Sequence, residues 1–363
     1  MISDRLRTLR RLMNQNSVAA LLLTSPANRR YYSGFEAGDV LLNESSGALV
    51  ITAKGQYLLT DSRYLEAARA QAPQFKIIAY GRGPAEALAT LPALKNVGAL
   101  HLEPEYLSLA KYDKIRRARP GLMLAAAPFA VDGPRAQKTP AEKRLVQKAL
   151  SITEAAVLAL WSRLEPGLTE REAAFFLENE FRRLGAEGPA FETIVASGPN
   201  AARPHAEPSR KKIRARETII IDCGARYKGY CADITRTRII GRPRPWQREI
   251  YAIVKEALER ALAALAPGRP TAEVDQAARS FIAARGYGAY FGHGLGHGVG
   301  LFIHEAPRLS PHSREELQPG NIVTVEPGIY LPGRGGVRLE QLALVTEKGA
   351  VVLNRPGALP LEP

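Results

Sequence analysis

Five residues of this sequence have the types and settings of ligands for a pair of metal ions. They are Asp222, Asp233, His297, Glu326 and Glu340, in the segments IIIDCGA, CADITRT, GHGLGHGVG, IVTVEPG and GVRLEQ. Four carboxylates balance two divalent cations, and an oxygen-rich shell with one imidazole favours Mn²⁺, Co²⁺ or Zn²⁺ over a thiolate-bound metal. Two such ions suit hydrolysis, because they can activate water and stabilise a tetrahedral intermediate. A single acid at a strand end is more often a turn or cap residue, so the prediction depends on all five together.

The two aspartates lie in what the sequence predicts to be a hairpin. Asp222 ends a β-branched run, and Asp233 follows eleven positions later, beyond the turn-like GARYKG. Pairing Asp222 with Asp233 across the hairpin would place both carboxylates on one face, where two like charges need a cation between them. In the same register Cys223 and Cys231 point to opposite faces, so we expect buried thiols and no disulfide.

Glycine occupies every second position from 292 to 300. So much glycine disfavours a helix, and an extended segment would have one all-glycine face and one that carries His293 and His297. A glycine face permits close approach by a neighbouring backbone or a ligand. His304 follows His297 by seven positions, so the chain must bend if the two imidazoles are to converge.

An internal repeat places two of the acids at matching positions. Residues 164–185 resemble residues 265–286, and each copy reads as a Pro-Gly turn, a threonine N-cap and an amphipathic helix that ends at glycine. Downstream, the strand-like residues 217–224 match 321–328, so Asp222 falls opposite Glu326. Two halves related by a pseudo-twofold axis would bring these strand ends together; chance similarity between two helix–strand units is the alternative.

Length and composition limit the possible classes. A chain of 363 residues with 45% apolar and 24% charged residues has room for two globular domains or one large one. The net charge of +14 raises nucleic-acid binding as an alternative, but the basic residues are mostly scattered arginines. There is no secretory signal, no apolar stretch long enough to span a bilayer and only two cysteines, so we expect a cytoplasmic location without membrane contact.

The first part of the chain reads as alternating helices and strands. Its predicted elements are helices at 6–14, 64–71 and 108–117, and strands at 19–24, 47–52, 56–60 and 97–102. Residues 132–140, within the proline-rich PFAVDGPRAQKTP, form the predicted linker. A long helix at 141–161 then opens the second part.

From residue 141 to residue 352 the motifs resemble those of the pita-bread metallopeptidases: Xaa-Pro dipeptidase (prolidase), Xaa-Pro aminopeptidase and, more distantly, methionine aminopeptidase. The segments IDCGARYKGYCADITRT, HGLGHGVGLFIHE, TVEPGIY and GVRLEQLALVTEKG carry this resemblance. SPANRRYYSGF and LLTDSRY resemble the N-terminal domain of the prolidase/creatinase branch, which methionine aminopeptidases usually lack. The resemblance implies an α/β (α+β) fold, with a creatinase/prolidase-like domain at 1–131 and a pita-bread catalytic domain with an internal pseudo-twofold repeat at 141–363.

The resemblance assigns a role to each predicted metal ligand. Asp222 looks like the chelating ligand of one ion, and Asp233 and Glu340 look like ligands that bridge both ions. His297 and Glu326 look like ligands of the second ion. Two divalent ions per subunit are implied, with Mn²⁺ or Co²⁺ favoured and Zn²⁺ as an alternative. None of these positions is substituted, which argues against the branches that have lost the metal.

Catalytic residues around the metals are also implied by the resemblance. Glu326 is expected to move the proton of the attacking water. His304, together with His205 or His293, is expected to stabilise the developing oxyanion.

Two arginines are predicted to bind substrate. Arg308 matches an arginine that in prolidases can hold the C-terminal carboxylate of a dipeptide. Arg338 shares a predicted strand face with Glu340, and it could instead orient a carboxylate or form an ion pair. Gln341 stands where many relatives carry aspartate, so the metal affinity could differ.

These residues together predict a dinuclear peptidase that hydrolyses the Xaa-Pro bond of short peptides. Arg308 favours an Xaa-Pro dipeptidase, and an Xaa-Pro aminopeptidase acting on longer peptides is the alternative. A non-catalytic pita-bread scaffold that binds nucleic acid or protein is the alternative of another class. The resemblance also implies a homodimer.

Overall fold

The computed structural model describes residues 2–38 and 45–355. They form two units, Met1–Arg135 and Ala136–Pro363. None of the helices in the described ranges has the length and apolar character that crossing a bilayer requires. The α/β fold class predicted from the sequence is confirmed.

A six-stranded sheet with helices around it forms the first unit. Its elements are α1 (Ile2–Gln15), β1 (Ala20–Leu23), α2 (Pro26–Ser33), β2 (Ala48–Thr52), β3 (Gln56–Thr60), α3 (Leu65–Gln71), β4 (Lys76–Ala79), α4 (Pro84–Thr90), β5 (Ala99–Leu102), α5 (Leu109–Ala118), β6 (Met123–Ala126) and the short α6 (Gly133–Ala136), whose last residue belongs to the second unit. The strand order is β4-β3-β2-β1-β5-β6, and only the two pairs that β2 makes are antiparallel.

Local sequence explains the first helices of this unit. Leu6, Leu9 and Met13 of α1 recur at helical spacing and are buried. Helix α2 begins after Ser25, whose hydroxyl accepts a hydrogen bond from a backbone N–H of the first turn, and it ends at Gly34 with φ of 84°.

The second unit contains the remaining elements. They are α7 (Pro140–Trp161), α8 (Glu170–Arg183), β7 (Gly188–Pro189), β8 (Ile194–Ser197), β9 (Thr218–Cys223), β10 (Ala225–Tyr227), β11 (Tyr230–Cys231), β12 (Ile234–Ile239), α9 (Pro245–Ala264), α10 (Thr271–Ala284), β13 (Gly296–Gly298), β14 (Glu305–Leu309), β15 (Ile322–Val325), β16 (Gly328–Leu331), β17 (Gly335–Arg338), β18 (Gln341–Thr346) and β19 (Gly349–Val352). The stretch 132–140, predicted as a linker, thus contains α6 and the first residue of α7.

Two halves of this unit repeat the same order of elements, as the sequence predicts. Helices α7 and α8 precede an antiparallel sheet ordered β8-β9-β12, and α9 and α10 precede one that contains β13-β15-β18. The central strand carries Asp222 in the first sheet, and Glu326 directly follows the central strand of the second. Equivalent strand ends therefore bear the two acids.

One feature of the predicted repeat is wrong. Helix α8 begins with the predicted threonine N-cap, Thr169, which forms a capping box with Glu172, but α10 has no side-chain cap. Thr271 is already the first residue of α10, and its hydroxyl bonds Ser313 and the Glu315 carbonyl instead. Because tertiary partners compete for the hydroxyl, a threonine at this position does not cap the helix.

Candidate active site

The predicted pairing of Asp222 with Asp233 is wrong by two residues, yet both still share a face. Strand β9 pairs with β12 so that Asp222 lies opposite Thr235. Residues 225–231 form a hairpin of their own in another sheet, and the ladder resumes only at Ile234. Since side chains alternate along an extended chain, the shift of two residues leaves Asp233 on the same face as Thr235.

Three carboxylates converge at this point. Ligand atoms of Asp222, Asp233 and Glu340 all lie within 4.8 Å of one another. Glu340 lies between β17 and β18, where its N–H donates to the Thr235 carbonyl at 3.1 Å and its Oε2 accepts from the Thr235 hydroxyl at 2.9 Å. Burial and the neighbouring carboxylates raise the pKa of both Asp233 and Glu340 well above its ordinary value. Such a concentration of buried acids needs a cation.

His297 and Glu326 extend the same cluster. The His297 Nε2 lies 3.4 Å from Glu326 Oε1 and 3.6 Å from Asp233 Oδ2. Burial, with a smaller effect of His304, lowers the pKa of His297 to about 3, so the ring is neutral and these approaches are not ion pairs. Its Nδ1 donates to the Gly298 carbonyl at 3.1 Å, which leaves the Nε2 lone pair directed at the carboxylates. This is the tautomer that a metal-binding histidine requires.

The donor set fits two divalent ions. Within the described residues, two buried carboxylate oxygens of the cluster, Asp222 Oδ1 and Glu340 Oε1, accept no hydrogen bond. Burial also raises the pKa of Glu326 to about 8. Oxygen atoms left without donors in a buried site are costly unless a ligand meets them, and four carboxylates with one neutral imidazole are suited to hard or borderline cations.

The alternating glycines allow His297 to approach the carboxylates, as their spacing predicts. A Cβ added at Gly296 would overlap the Thr324 carbonyl, and one added at Gly298 would overlap the Ala306 carbonyl. The regular strand covers only Gly296–Gly298, and a bulge follows His297. Small residues are needed here because neighbouring backbones pack against this segment.

An ion pair on α10, in which Asp275 is fully buried and Arg279 is half-buried, fixes the segment before His297. The Asp275 carboxylate binds the Arg279 guanidinium at 2.6 and 2.8 Å and accepts from the Leu295 N–H at 3.0 Å. Arg279 also donates to the His293 carbonyl at 2.7 Å, and the Leu295 carbonyl accepts from the Glu326 N–H at 2.8 Å. This pair was not predicted from the sequence, where its only signal is an i, i+4 spacing on an amphipathic helix.

Arg338 is buried and joins one carboxylate to a predicted catalytic histidine. Its guanidinium donates to Asp222 Oδ2 at 2.6 Å, to the Tyr330 hydroxyl at 2.9 Å and to the Thr235 hydroxyl at 3.1 Å. The Tyr330 hydroxyl in turn lies 2.8 Å from Nε2 of His293, whose Nδ1 donates to a backbone carbonyl at 2.8 Å. Arg338 thus orients the Asp222 carboxylate, which is one of the roles that the sequence left open for it. A contact between Arg338 and substrate stays a prediction. Tyr330 and Thr235 were not predicted.

The remaining predicted residues surround the cluster. The His304 ring lies 4.4 Å from that of His297 and perpendicular to it, so the predicted bend does bring the imidazoles together. Burial lowers the pKa of His293 to about 4 and also lowers the pKa of His304. His205 is close enough to both rings to add a smaller lowering effect on their pKa. Arg308 is exposed, and it lies directly opposite His297 in the antiparallel pairing of β13 with β14. Residues directly opposite each other in such a pairing have their side chains on the same face of the sheet.

Both cysteines are buried free thiols, as predicted. Burial, with a smaller effect of the nearby Asp222, raises the pKa of Cys223 well above its ordinary value. A thiol held in this protonated form is a poor metal ligand, which leaves coordination to the carboxylates and the imidazole.

Comparison with known proteins places this geometry in a family. Residues 144–347 match metallopeptidase family M24, and residues 5–136 match the creatinase/prolidase N-terminal domain. A relative from Pyrococcus furiosus named Xaa-Pro dipeptidase is 36% identical over 356 residues, which cover 98% of each chain. The solved structure of an Xaa-Pro dipeptidase from Bacillus anthracis gives a TM-score of 0.91 at 36% identity, over 98% of each chain.

A solved aminopeptidase is similar to almost the same degree. The X-Pro aminopeptidase from Thermotoga maritima has a TM-score of 0.85 and 35% identity, over 97% of this chain and 99% of that one. Enzymes of family M24 use a dinuclear metal centre, and the carboxylate cluster described above has the composition of one. The chain therefore belongs to metallopeptidase family M24, with a creatinase/prolidase N-terminal domain preceding the catalytic domain.

Proposed function

We propose that this chain hydrolyses the peptide bond before proline in dipeptides, as an Xaa-Pro dipeptidase. The observation that carries the proposal is the convergence of Asp222, Asp233 and Glu340, with His297 and Glu326 beside them. Similarity to named Xaa-Pro dipeptidases over nearly the whole chain supports the choice of bond. The retained ligand set speaks against a non-catalytic scaffold.

Two divalent ions would be held by these five residues. Asp222 would chelate one ion, His297 and Glu326 would bind the other, and Asp233 and Glu340 would bridge them. Mn²⁺ or Co²⁺ suits this oxygen-rich set best, with Zn²⁺ as the alternative. When bound, the ions acidify water and polarise the scissile carbonyl.

The side chains of the protein would handle the proton and the developing charge. Glu326 would take the proton of the attacking water and pass it to the leaving nitrogen. A hydrogen bond of 3.3 Å from the Thr324 hydroxyl to Oε1 holds this carboxylate in position. His304 and His205 would donate to the oxyanion. Both nitrogens of His293 already bind protein groups, so we assign His293 the part of orienting Tyr330 and Arg338.

Arg308 supports the choice of a dipeptidase. Its exposed guanidinium lies on the strand face of His297 and can receive the carboxylate of a proline that ends the substrate. A charge-assisted hydrogen bond contributes about 1.5–3 kcal/mol, so Arg308→Gln should raise KM for a dipeptide by about 10- to 150-fold. Arg314→Gln, an exposed arginine of the same segment, is the matched control.

Hydrolysis of Ala-Pro and of Ala-Pro-Ala by the Mn²⁺-loaded protein tests the proposal. We expect cleavage of Ala-Pro, and we expect Arg308→Gln to lose much more activity on Ala-Pro than on Ala-Pro-Ala. Cleavage of the longer peptide alone would instead establish an Xaa-Pro aminopeptidase, which the similarity to the Thermotoga maritima enzyme favours as the second candidate. Cleavage of neither peptide would refute both.

Assembly, location and domain limits belong to the same proposal. A homodimer is proposed from the family resemblance, and the two buried free thiols agree with a reducing cytoplasm. The domain limits that we propose are 1–131 and 141–363, with 132–140 as the linker. Short proline-containing peptides are the proposed partners, and nucleic acid is not expected.

A further inference from the structure

A buried carboxylate outside the metal cluster closes a long loop. Glu170, the first residue of α8, is fully buried. Its Oε1 accepts from the Ser197 N–H at 2.7 Å and the Ser197 hydroxyl at 2.8 Å. Its Oε2 accepts from the Ser209 hydroxyl at 2.6 Å and the Ser209 N–H at 3.2 Å, and the Asn200 amide donates to both oxygens at 3.1 and 2.9 Å. One carboxylate thus binds both ends of the loop 198–208.

The backbone of α8 reinforces this closure. The Glu170 N–H donates to the Lys211 carbonyl at 3.1 Å, and the Arg171 N–H donates to the Ser209 carbonyl at 3.0 Å. These are first-turn N–H groups that a helix leaves without partners of its own. The returning end of the loop is therefore attached to α8 through both the backbone and the Glu170 side chain.

The middle of the same loop reaches the metal cluster. Pro204 accepts a hydrogen bond on its carbonyl from Arg338 Nη1 at 3.2 Å, and Arg338 holds Asp222. His205 follows directly and is exposed. Its imidazole is thus carried by a loop whose two ends are held by Glu170 and whose middle is held by Arg338.

We propose that Glu170 is a positioning residue for His205. By binding Ser197 and Ser209 together, it sets the place of the His205 imidazole relative to the scissile bond. A small error in such placement costs large factors in rate, so a group that never contacts substrate can still control turnover. This inference rests on the proposed hydrolysis of Xaa-Pro bonds and on the part of His205 in it.

The substitution Glu170→Gln tests the positioning of His205 by Glu170, because it changes the hydrogen bonding of the side chain with little change in its volume. Whichever way the amide turns, its –NH₂ group replaces an acceptor that a backbone N–H of Ser197 or Ser209 needs. We expect kcat/KM for Ala-Pro to fall by about 10- to 100-fold, mainly through kcat. Glu172→Gln is the matched control, because it lies in the same turn, is exposed and keeps the capping box, which accepts glutamine at this position.

A double-mutant cycle with His205→Ala separates positioning from general stabilisation. If Glu170 acts through His205, adding Glu170→Gln to His205→Ala should change kcat/KM by less than about 2-fold. Losses that multiply would overturn the proposal, as would a His205→Ala variant as active as the wild type. Should Glu170→Gln fail to fold, Ser209→Ala removes one hydroxyl only and enters the same cycle.

A second readout does not depend on activity. In metal-free protein with ¹⁵N-labelled histidine, the ring signals of His205 should shift or broaden in Glu170→Gln and stay unchanged in Glu172→Gln. Unchanged signals in both variants would refute the anchoring by Glu170. Moved signals in a protein that cleaves neither Ala-Pro nor Ala-Pro-Ala would refute the proposed function while leaving the anchoring intact.

Discussion

Replacing Arg338 by methionine removes a buried arginine that is bonded to the Asp222 carboxylate of the cluster. The guanidinium is almost completely buried and donates to Asp222, Thr235, Tyr330 and the Pro204 carbonyl. Methionine has similar length but neither charge nor donors. The variant therefore leaves a carboxylate of the cluster without its counter-charge and releases the hydroxyls that the arginine oriented.

The size of the effect follows from this geometry. Removing one partner of a buried ion pair costs about 3–5 kcal/mol. For a unit of this size each kcal/mol lowers Tm by about 2–4 °C, so the metal-free variant should melt about 6–20 °C below the metal-free wild type. Because the variant is expected to bind metal more weakly, saturating Mn²⁺ should stabilise it less than it stabilises the wild type and so widen this gap. Metal affinity should fall by about 10- to 100-fold, because Asp222 has lost its orienting partner.

Thermal unfolding followed by circular dichroism, with and without Mn²⁺, measures both effects. Arg334→Met is the matched control: this exposed arginine stacks on Trp246, and its loss should leave metal affinity unchanged. A metal-free Arg338→Met protein that melts within about 2 °C of the wild type would refute the electrostatic reasoning. So would a Tm difference that Mn²⁺ does not change.

Two further predictions concern the site itself. Glu326→Gln should lower kcat by about 10²- to 10⁴-fold, because the amide can no longer accept the proton. Steady-state kinetics would measure this loss, with circular dichroism to check that the variant is folded. An unchanged kcat would exclude Glu326 as the base. Gly298→Ala should destabilise the metal-free protein by about 1–3 kcal/mol and weaken Mn²⁺ binding measured by calorimetry, since its Cβ would overlap a carbonyl oxygen. Gly292→Ala, whose Cβ meets nothing within 4 Å, is the control, and equal behaviour of the two variants would contradict the packing argument.

Much of the site could be predicted because its residues stand at recognisable places in the sequence. Asp222 ends a β-branched strand, Glu326 precedes a Pro-Gly turn, and alternating glycines surround His297. Each of these patterns involves only neighbouring residues in the sequence. The internal repeat then related Asp222 to Glu326, because it places them at matching positions. The register error between Asp222 and Asp233 arose because residues 225–231 form a hairpin of their own in another sheet. Gly224 lies so close to the Ala232 carbonyl that only glycine fits there, and strand periodicity does not reveal such an approach.

The residues that were missed act through partners distant in the sequence. Tyr330 binds His293 thirty-seven positions away, and Thr235 binds Glu340 across 105 positions. Glu170 reads in the sequence as an ordinary acid in the first turn of a helix, which usually means a favourable charge near the helix N-terminus. Only the tertiary structure shows that its acceptors close the loop of His205.

We expect Asp222, Asp233, His297, Glu326 and Glu340 to hold two divalent ions that this chain needs for Xaa-Pro hydrolysis. The most direct test is to titrate Mn²⁺ into protein stripped of metal with a chelator, while the hydrolysis of Ala-Pro is followed. We expect no cleavage at the start and a rate that saturates at about two ions per chain. Equal cleavage with and without metal, or no cleavage of Ala-Pro at saturating Mn²⁺ or Co²⁺, would contradict it.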